Sequence, residues 1–306
     1  IACGFLTAGA HGAHGDKDGS KVKVVATIFP QYDFTREIAG DKIELSMLLR
    51  PGAESHSFDP TPQDIIDVKN CDVFIYVGGE SDEWVKEILE SMDTSKMKIL
   101  SLMDMVEPVE EEIVEGMEEE AEEEEGHDHE AELDEHVWTS PVNVKLIVSA
   151  IADALCEADG GNARFYRNNA AAYLKKLDVL DADFKSVADK AARKTIIVGD
   201  RFPFRYLADA YGLSYYAAFP GCSTETEASA GTIAFLIDKV KSERIPVVFN
   251  IELSNEKMSD VICEATGAKK LLLHACHNIT KKDFDNGANY IGLMTQNVKN
   301  LKEALW

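Results

Sequence analysis

"ARFYRNNAAAYLKKLDVLDADFKSVADKAA" (163–192) contains neither Gly nor Pro. About thirty such residues predict one helix of roughly 45 Å, long enough to cross a whole molecule of this size. On either side, strand-like and helix-like segments alternate. Before it, "KVKVVATIFP" (21–30) reads as a buried strand ended by Pro, "QYDFTREIAG" (31–40) as a helix closed by Gly40, and "IELSMLLRPG" (43–52) as a strand and turn. "TPQDIIDVKNC" (61–71) and "DEWVKEILESM" (82–92) follow as helices, "DVFIYVGG" (72–79) and "KMKILSL" (96–102) as strands. "SPVNVKLIVSAIADALCEAD" (140–159) is predicted as a helix with Ser140 as its cap and Pro141 at its first position. After the long helix the alternation restarts, from "KTIIVGD" (194–200) to a final helix at "YIGLMTQNVKNLKEAL" (290–305). Such alternation argues for parallel sheets covered by helices. The predicted fold is α/β, with two parallel-sheet lobes, 21–162 and 194–306, joined by one long helix over 163–193.

The net charge of −24 is local. Between Glu107 and Glu135 there are 17 Asp and Glu and no Lys or Arg, so the rest of the chain carries only about −7. Nucleic acid is thereby excluded as a natural partner, because phosphate binding needs a basic face. Cations are the natural partner of a carboxylate run. This loop, 106–135, contains His127 and His129 and leads to His136.

No run of about 18 apolar residues exists that would predict a membrane-spanning helix. The opening "IACGFLTAGAHGAHGDKDGS" (1–20) reads as a flexible tether, with Cys3 placed like the acylated residue of a lipoprotein; the alternative is an ordinary tail. The other cysteines show no CxxC spacing. Cys222 and Cys276 each follow a predicted strand of the second half and are the pair a disulfide would join, with unpaired buried thiols as the alternative.

Three loops carry histidines at predicted sheet edges. "RPGAESHSFDPTPQDI" (50–65) places His56 after a strand, in a loop stiffened by Pro51, Pro60 and Pro62. "DEHVWTSP" (134–141) places His136 just before a helix, with Trp138 able to shield a site from water. "LLLHACHNIT" (271–280) places His274 and His277 after the last strand. Ligand sites of open parallel sheets lie at the carboxyl ends of strands, and imidazole is a good donor to Zn(II).

These segments together resemble the metal-binding lipoproteins of bacterial ABC importers for zinc and manganese, the cluster 9 (A-I) substrate-binding family. The similarity runs from Lys21 to Trp306. It rests above all on "PGAESHSFDPTPQDI" and "HVWTSP", and the acidic His-bearing insertion is similar to that of the zinc branch. The resemblance implies the metal-type periplasmic-binding-protein fold and a monomeric, non-catalytic receptor. It also implies an extracytoplasmic location, membrane-anchored or periplasmic, and delivery of the ion to a permease with its ATPase. Zn(II) is the implied cargo, with Mn(II) as the alternative. A zinc-dependent hydrolase is the alternative from another class, although no HExxH or other hydrolase motif is present. Accessory metal capture falls to His127 and His129.

The resemblance further implies four ligands around a cleft, two from each lobe. His56 and His136 match the first pair. In the second lobe the family usually has a His in the segment matching "IIVGDRFPFRYLADAYG", where Arg201 stands here. Arginine stays protonated and donates no lone pair, so a one-residue shift to Asp200 is one alternative. For the last ligand the count from "ATGAKK" points to His274, a longer alignment to His277, and Glu252 is the reserve carboxylate. The expected set is His56, His136 and His274, and three imidazoles suit tetrahedral Zn(II) better than Mn(II). Arg201 is expected to pair with an acidic residue such as Glu227 across the cleft.

Overall fold

The computed structural model describes residues 20–54, 58–117, 132–223 and 227–306. His56, His127, His129 and Cys3 lie outside the described residues.

The first half contains β1 (Lys23–Ala26), α1 (Phe29–Ala39), β2 (Glu44–Met47), α2 (Pro62–Lys69), β3 (Val73–Tyr76), α3 (Glu83–Glu90), β4 (Lys98–Ser101) and α4 (Pro141–Ala158). Its strands form a parallel sheet in the order β2-β1-β3-β4. After α5 (Ala163–Asp189) come β5 (Thr195–Phe202), α6 (Arg205–Tyr211), β6 (Ser214–Pro220), α7 (Ala230–Ser242), β7 (Val247–Asn250), α8 (Lys257–Thr266) and β8 (Lys269–Leu272). The short α9 (Lys281–Asp285) and α10 (Tyr290–Leu305) close the chain. The second sheet repeats the first, all parallel, in the order β6-β5-β7-β8. Two parallel-sheet lobes and one long helix are therefore as the sequence predicts.

Local chemistry accounts for most boundaries. Pro30 does not end the first strand: β1 stops at Ala26, and Pro30 occupies the first turn of α1, where a missing N–H costs nothing. α2 begins in a capping box. The Thr61 hydroxyl accepts from the Asp64 amide at 3.3 Å, and Asp64 Oδ2 accepts from the Thr61 amide at 2.8 Å. Ser140 holds the N-cap position of α4, but its side chain makes no capping hydrogen bond, so Pro141 alone sets that start. The five-residue α9, absent from the sequence reading, is nucleated by Thr280 accepting from the Asp283 amide at 3.1 Å.

α5 buries Tyr166, Ala170, Tyr173, Leu177, Leu180, Phe184 and Val187. Their spacing alternates four and three residues, which keeps one stripe facing inward. That stripe packs on α1 and α4 of the first half and on α6 and α10 of the second. One core cluster consequently runs through both lobes. Each fully buried large side chain contributes roughly 1.5–3 kcal/mol. Among the described residues, no helix is long and apolar enough to cross a membrane.

Candidate metal centre

Each sheet has its topological switch at its central strand pair, β1/β3 in the first lobe and β5/β7 in the second. Crevices form outside the carboxyl ends of strands at such points. Two cavities lie there. One is lined by Thr27, Val77, Asp82, Glu135, His136 and His277 among others. The second is lined by Glu54, Arg201, Glu252, His277 and Asn278 with their neighbours. His277 is common to both.

His136 and His277 meet across the lobes. Their ring centroids are 4.5 Å apart at 79°, and Trp138 packs edge-on against both, at 5.6 and 5.0 Å. His136 is fully buried. Its Nδ1 lies 3.0 Å from Asp134 Oδ1, which also accepts the His136 amide at 2.8 Å. A carboxylate on Nδ1 fixes the tautomer and leaves Nε2 for a metal, the usual support of a ligating histidine. Burial alone would lower the pKa of this imidazole; the Asp134 carboxylate, with Glu135 and Glu111 behind it, outweighs burial and raises it. His277 goes the other way, lowered by burial and by its neighbour His136.

Glu252, just after β7, organises the second-lobe loop. Its Oε2 accepts the Ala275 amide at 2.6 Å and its Oε1 the His277 amide at 3.0 Å, while Oε1 lies 3.8 Å from His277 Nδ1. Burial would raise this carboxyl, but the His274 and His277 imidazoles and the Ala275 amide bring it down to about 2. The loop is also tied to the first lobe. Trp138 Nε1 donates to Ala275 O at 2.7 Å, and the Phe29 amide donates to His277 O at 3.3 Å. Asn278 Nδ2 donates to Arg50 O at 2.7 Å and to Ala53 O at 2.9 Å.

His274 is placed differently. Its Nδ1 accepts the Cys276 amide at 3.0 Å, its amide donates to Asn297 Oδ1 of α10 at 2.8 Å, and it lines neither cavity. Cys276 has φ +62°, and this left-handed residue turns the chain so that His277 faces the first lobe. Asp200 accepts from the Ser254 hydroxyl and from the Arg201 amide, and it lines neither cavity. Burial raises its pKa.

Two sequence expectations are corrected here. Arg201 does bridge the cleft, but to Glu54 at 3.5 Å, with Nη1 donating to Ser223 O at 3.0 Å; Glu227 instead pairs with Lys257 at 3.6 Å. Cys222 and Cys276 are both free thiols rather than a disulfide. The Cys222 amide donates to Glu111 Oε1 at 2.8 Å, while Cys276 turns the histidine loop.

Sequence reasoning also missed Asp134, which was merged into the acidic tract although it stands two residues before His136. Gly221 was missed as well. A Cβ there would lie 2.8 Å from Phe202 O, 3.1 Å from His136 Cε1 and 3.2 Å from Asp134 Oδ2. The backbone oxygen cannot yield, so Gly221→Ala should cost about 1–3 kcal/mol. Thermal unfolding of the metal-free protein checks this, and an unchanged midpoint would show that the glycine is dispensable.

Among the described residues, no three His, Cys, Asp and Glu side chains come together as a complete ligand set. The described residues flanking His56 nonetheless reach both cavities: Glu54 lines one and Phe58 the other.

With this geometry in place, the similarities become informative. The family described as zinc-uptake complex component A, periplasmic, matches residues 24–304. The chain belongs to this family. It is 32% identical to the high-affinity zinc uptake system protein ZnuA of Bacillus subtilis, over all of this chain and 96% of that one. It is also 32% identical to the zinc-binding lipoprotein AdcA of Streptococcus pneumoniae, over 92% of this chain but only 56% of that relative's length. Among solved structures, the metal-dependent lipoprotein YcdH of Bacillus subtilis superposes with a TM-score of 0.77 at 30% identity, covering 93% of this chain and 99% of that one. The Zn(II)-bound ZnuA-like domain of Streptococcus pneumoniae AdcA matches equally well, with a TM-score of 0.77 at 28% identity over 94% and 99% of the two chains. The two-lobed arrangement is thus the fold of this family.

Proposed function

We propose that this chain is the extracytoplasmic solute-binding component of an ABC importer and captures Zn(II) as cargo between its lobes. The proposed ligands are His136 and His277, joined by His56. The observation that carries this reading is the meeting of one buried imidazole from each lobe, 4.5 Å apart, each beside a carboxylate. Its similarity to the zinc uptake protein of Bacillus subtilis and to the zinc-binding lipoprotein of Streptococcus pneumoniae supports zinc as the ion and a lipoprotein at the membrane surface as the setting. Imidazole nitrogens favour tetrahedral Zn(II) over Mn(II), which takes more oxygen. The partners are a membrane permease and its ATPase, and the working unit is a monomer.

The role is capture without catalysis. A hydrolytic zinc site needs an open coordination position and a free general base. Both oxygens of Glu252 accept backbone amides, and Asp134 Oδ1 is committed to His136. Helices α5 and α10 and the loop hydrogen bonds restrain the lobes, so opening is a small tilt rather than a wide hinge.

Competitive titration against a chromogenic zinc chelator tests the reading, with one tight site expected. A preference for Mn(II), or no tight site, would contradict it. The pH dependence follows from the imidazoles, since zinc displaces their protons. Because the pKa of His136 is raised, affinity should begin to fall above about pH 6.5, the ordinary imidazole value. Below that the fall should steepen as the other imidazole ligands also protonate, by about one decade per pH unit for each, with His277 last because its pKa is lowered. Affinity unchanged between about pH 8 and 6 would rule out imidazole ligation.

A further inference from the structure

The described base of the acidic segment springs from the first lobe and reaches across to the second. Its two arms pair antiparallel: the Glu111 amide donates to Glu132 O at 2.8 Å and the Asp134 amide to Val109 O at 2.9 Å. This stem lies on the second lobe. Tyr215 OH donates to Glu112 Oε2 at 3.0 Å, and Lys239 Nζ reaches Glu115 Oε2 at 3.1 Å. Gly116, at φ +87°, sits so close to the Phe235 ring that a Cβ would lie 2.1 Å from it.

At the site end of the stem, one second-lobe hydroxyl joins both arms. Tyr206 OH donates to Asp134 O at 2.7 Å and accepts the Val109 amide at 3.2 Å. Asp134 is the carboxylate that holds His136. We propose that the stem is a cross-lobe strap and that Tyr206 is a positioning residue for the metal centre, acting through Asp134 on His136. Tyr206 hydrogen-bonds neither histidine of the centre, but its hydroxyl fixes the main chain from which the orienting carboxylate projects. The strap thus lets the second lobe, which carries His277, also set the geometry of the first-lobe ligand.

The inference rests on zinc binding at His136, and the test separates the two. Zinc affinity is measured by chelator competition for the wild-type protein, Tyr206→Phe, Asp134→Asn and the double variant, each first shown to unfold cooperatively. Loss of an outer hydrogen-bond partner of a ligand costs about 10–100-fold, so Asp134→Asn should fall in that range and Tyr206→Phe by about 3–10-fold. If Tyr206 acts through Asp134, the double variant should match Asp134→Asn within about twofold, because coupled sites are non-additive. Multiplication of the two losses, or wild-type affinity in Tyr206→Phe, would overturn the proposal. Amide hydrogen exchange in the unmutated protein gives an independent check. Zinc should slow exchange at Val109 and Asp134, and unchanged exchange at both would count equally against it. Absence of tight zinc binding in the wild-type protein would instead sink the zinc reading itself.

Discussion

Replacing His277 by Ala is expected to lower zinc affinity by more than about 100-fold, because removing even an outer partner of a ligand costs 10–100-fold. His274→Ala should lose less than about tenfold. The two histidines are three residues apart on one loop, yet their surroundings differ. The His277 ring lies 4.5 Å from His136 and borders both cavities. His274 spends Nδ1 on the Cys276 amide, and its backbone is clamped by Asn297, whose Oδ1 accepts its amide while Nδ2 donates to its carbonyl. Chelator competition on both variants reads the difference directly. Equal losses would place both imidazoles on the ion, and a larger loss for His274→Ala would reverse the proposed assignment.

Glu252→Gln is expected to be the most destabilising single-atom exchange in the cleft, at about 2–4 kcal/mol. A carboxylate accepts on both oxygens, as the Ala275 and His277 amides require. The amide of Gln turns one of those acceptors into a donor facing an N–H. The loop carrying His277 must then shift, so zinc affinity should fall by at least about tenfold, the low end for outer-partner loss. The same group predicts an acid limb of stability. Its folded pKa, about 2, lies below the ordinary value of 4.5. The stabilisation is therefore fully present above about pH 4.5 and is lost as pH falls toward 2. A depression of this size corresponds to about 3 kcal/mol. Urea unfolding of the metal-free wild type and variant between about pH 7 and 3 should show the two stability curves converging as pH drops. Parallel curves would mean that Glu252 ionises in the folded protein as it does in the unfolded chain.

The architecture was legible because periodicity reports burial. The alternating runs, and a segment without Gly or Pro over 163–192, needed only local sequence to be read. The site was legible to a lesser degree. His136 could be picked out because a Trp and a helix start follow it. The choice between His274 and His277 depended on the turn at Cys276, whose φ of +62° a cysteine does not advertise. Arg201 was read as bridging the cleft, but its partner depends on how two lobes far apart in sequence face one another, and that brought Glu54 rather than Glu227 within 3.5 Å. Asp134 was hidden by its neighbours. In a tract of carboxylates, nothing in sequence separates the one buried against an imidazole from those facing water. Glu252 was read as a reserve ligand, whereas its oxygens hold amides, a role fixed by backbone geometry after β7 and β8.

One imidazole from each lobe is proposed to hold the zinc ion. Anomalous diffraction at the zinc edge, from crystals of the protein loaded with one equivalent of zinc, tests it most directly. A single strong peak is expected within about 2.0–2.1 Å of a ring nitrogen of both His136 and His277. A principal peak anywhere else, whether on the acidic segment or on His274 without His277, would contradict it.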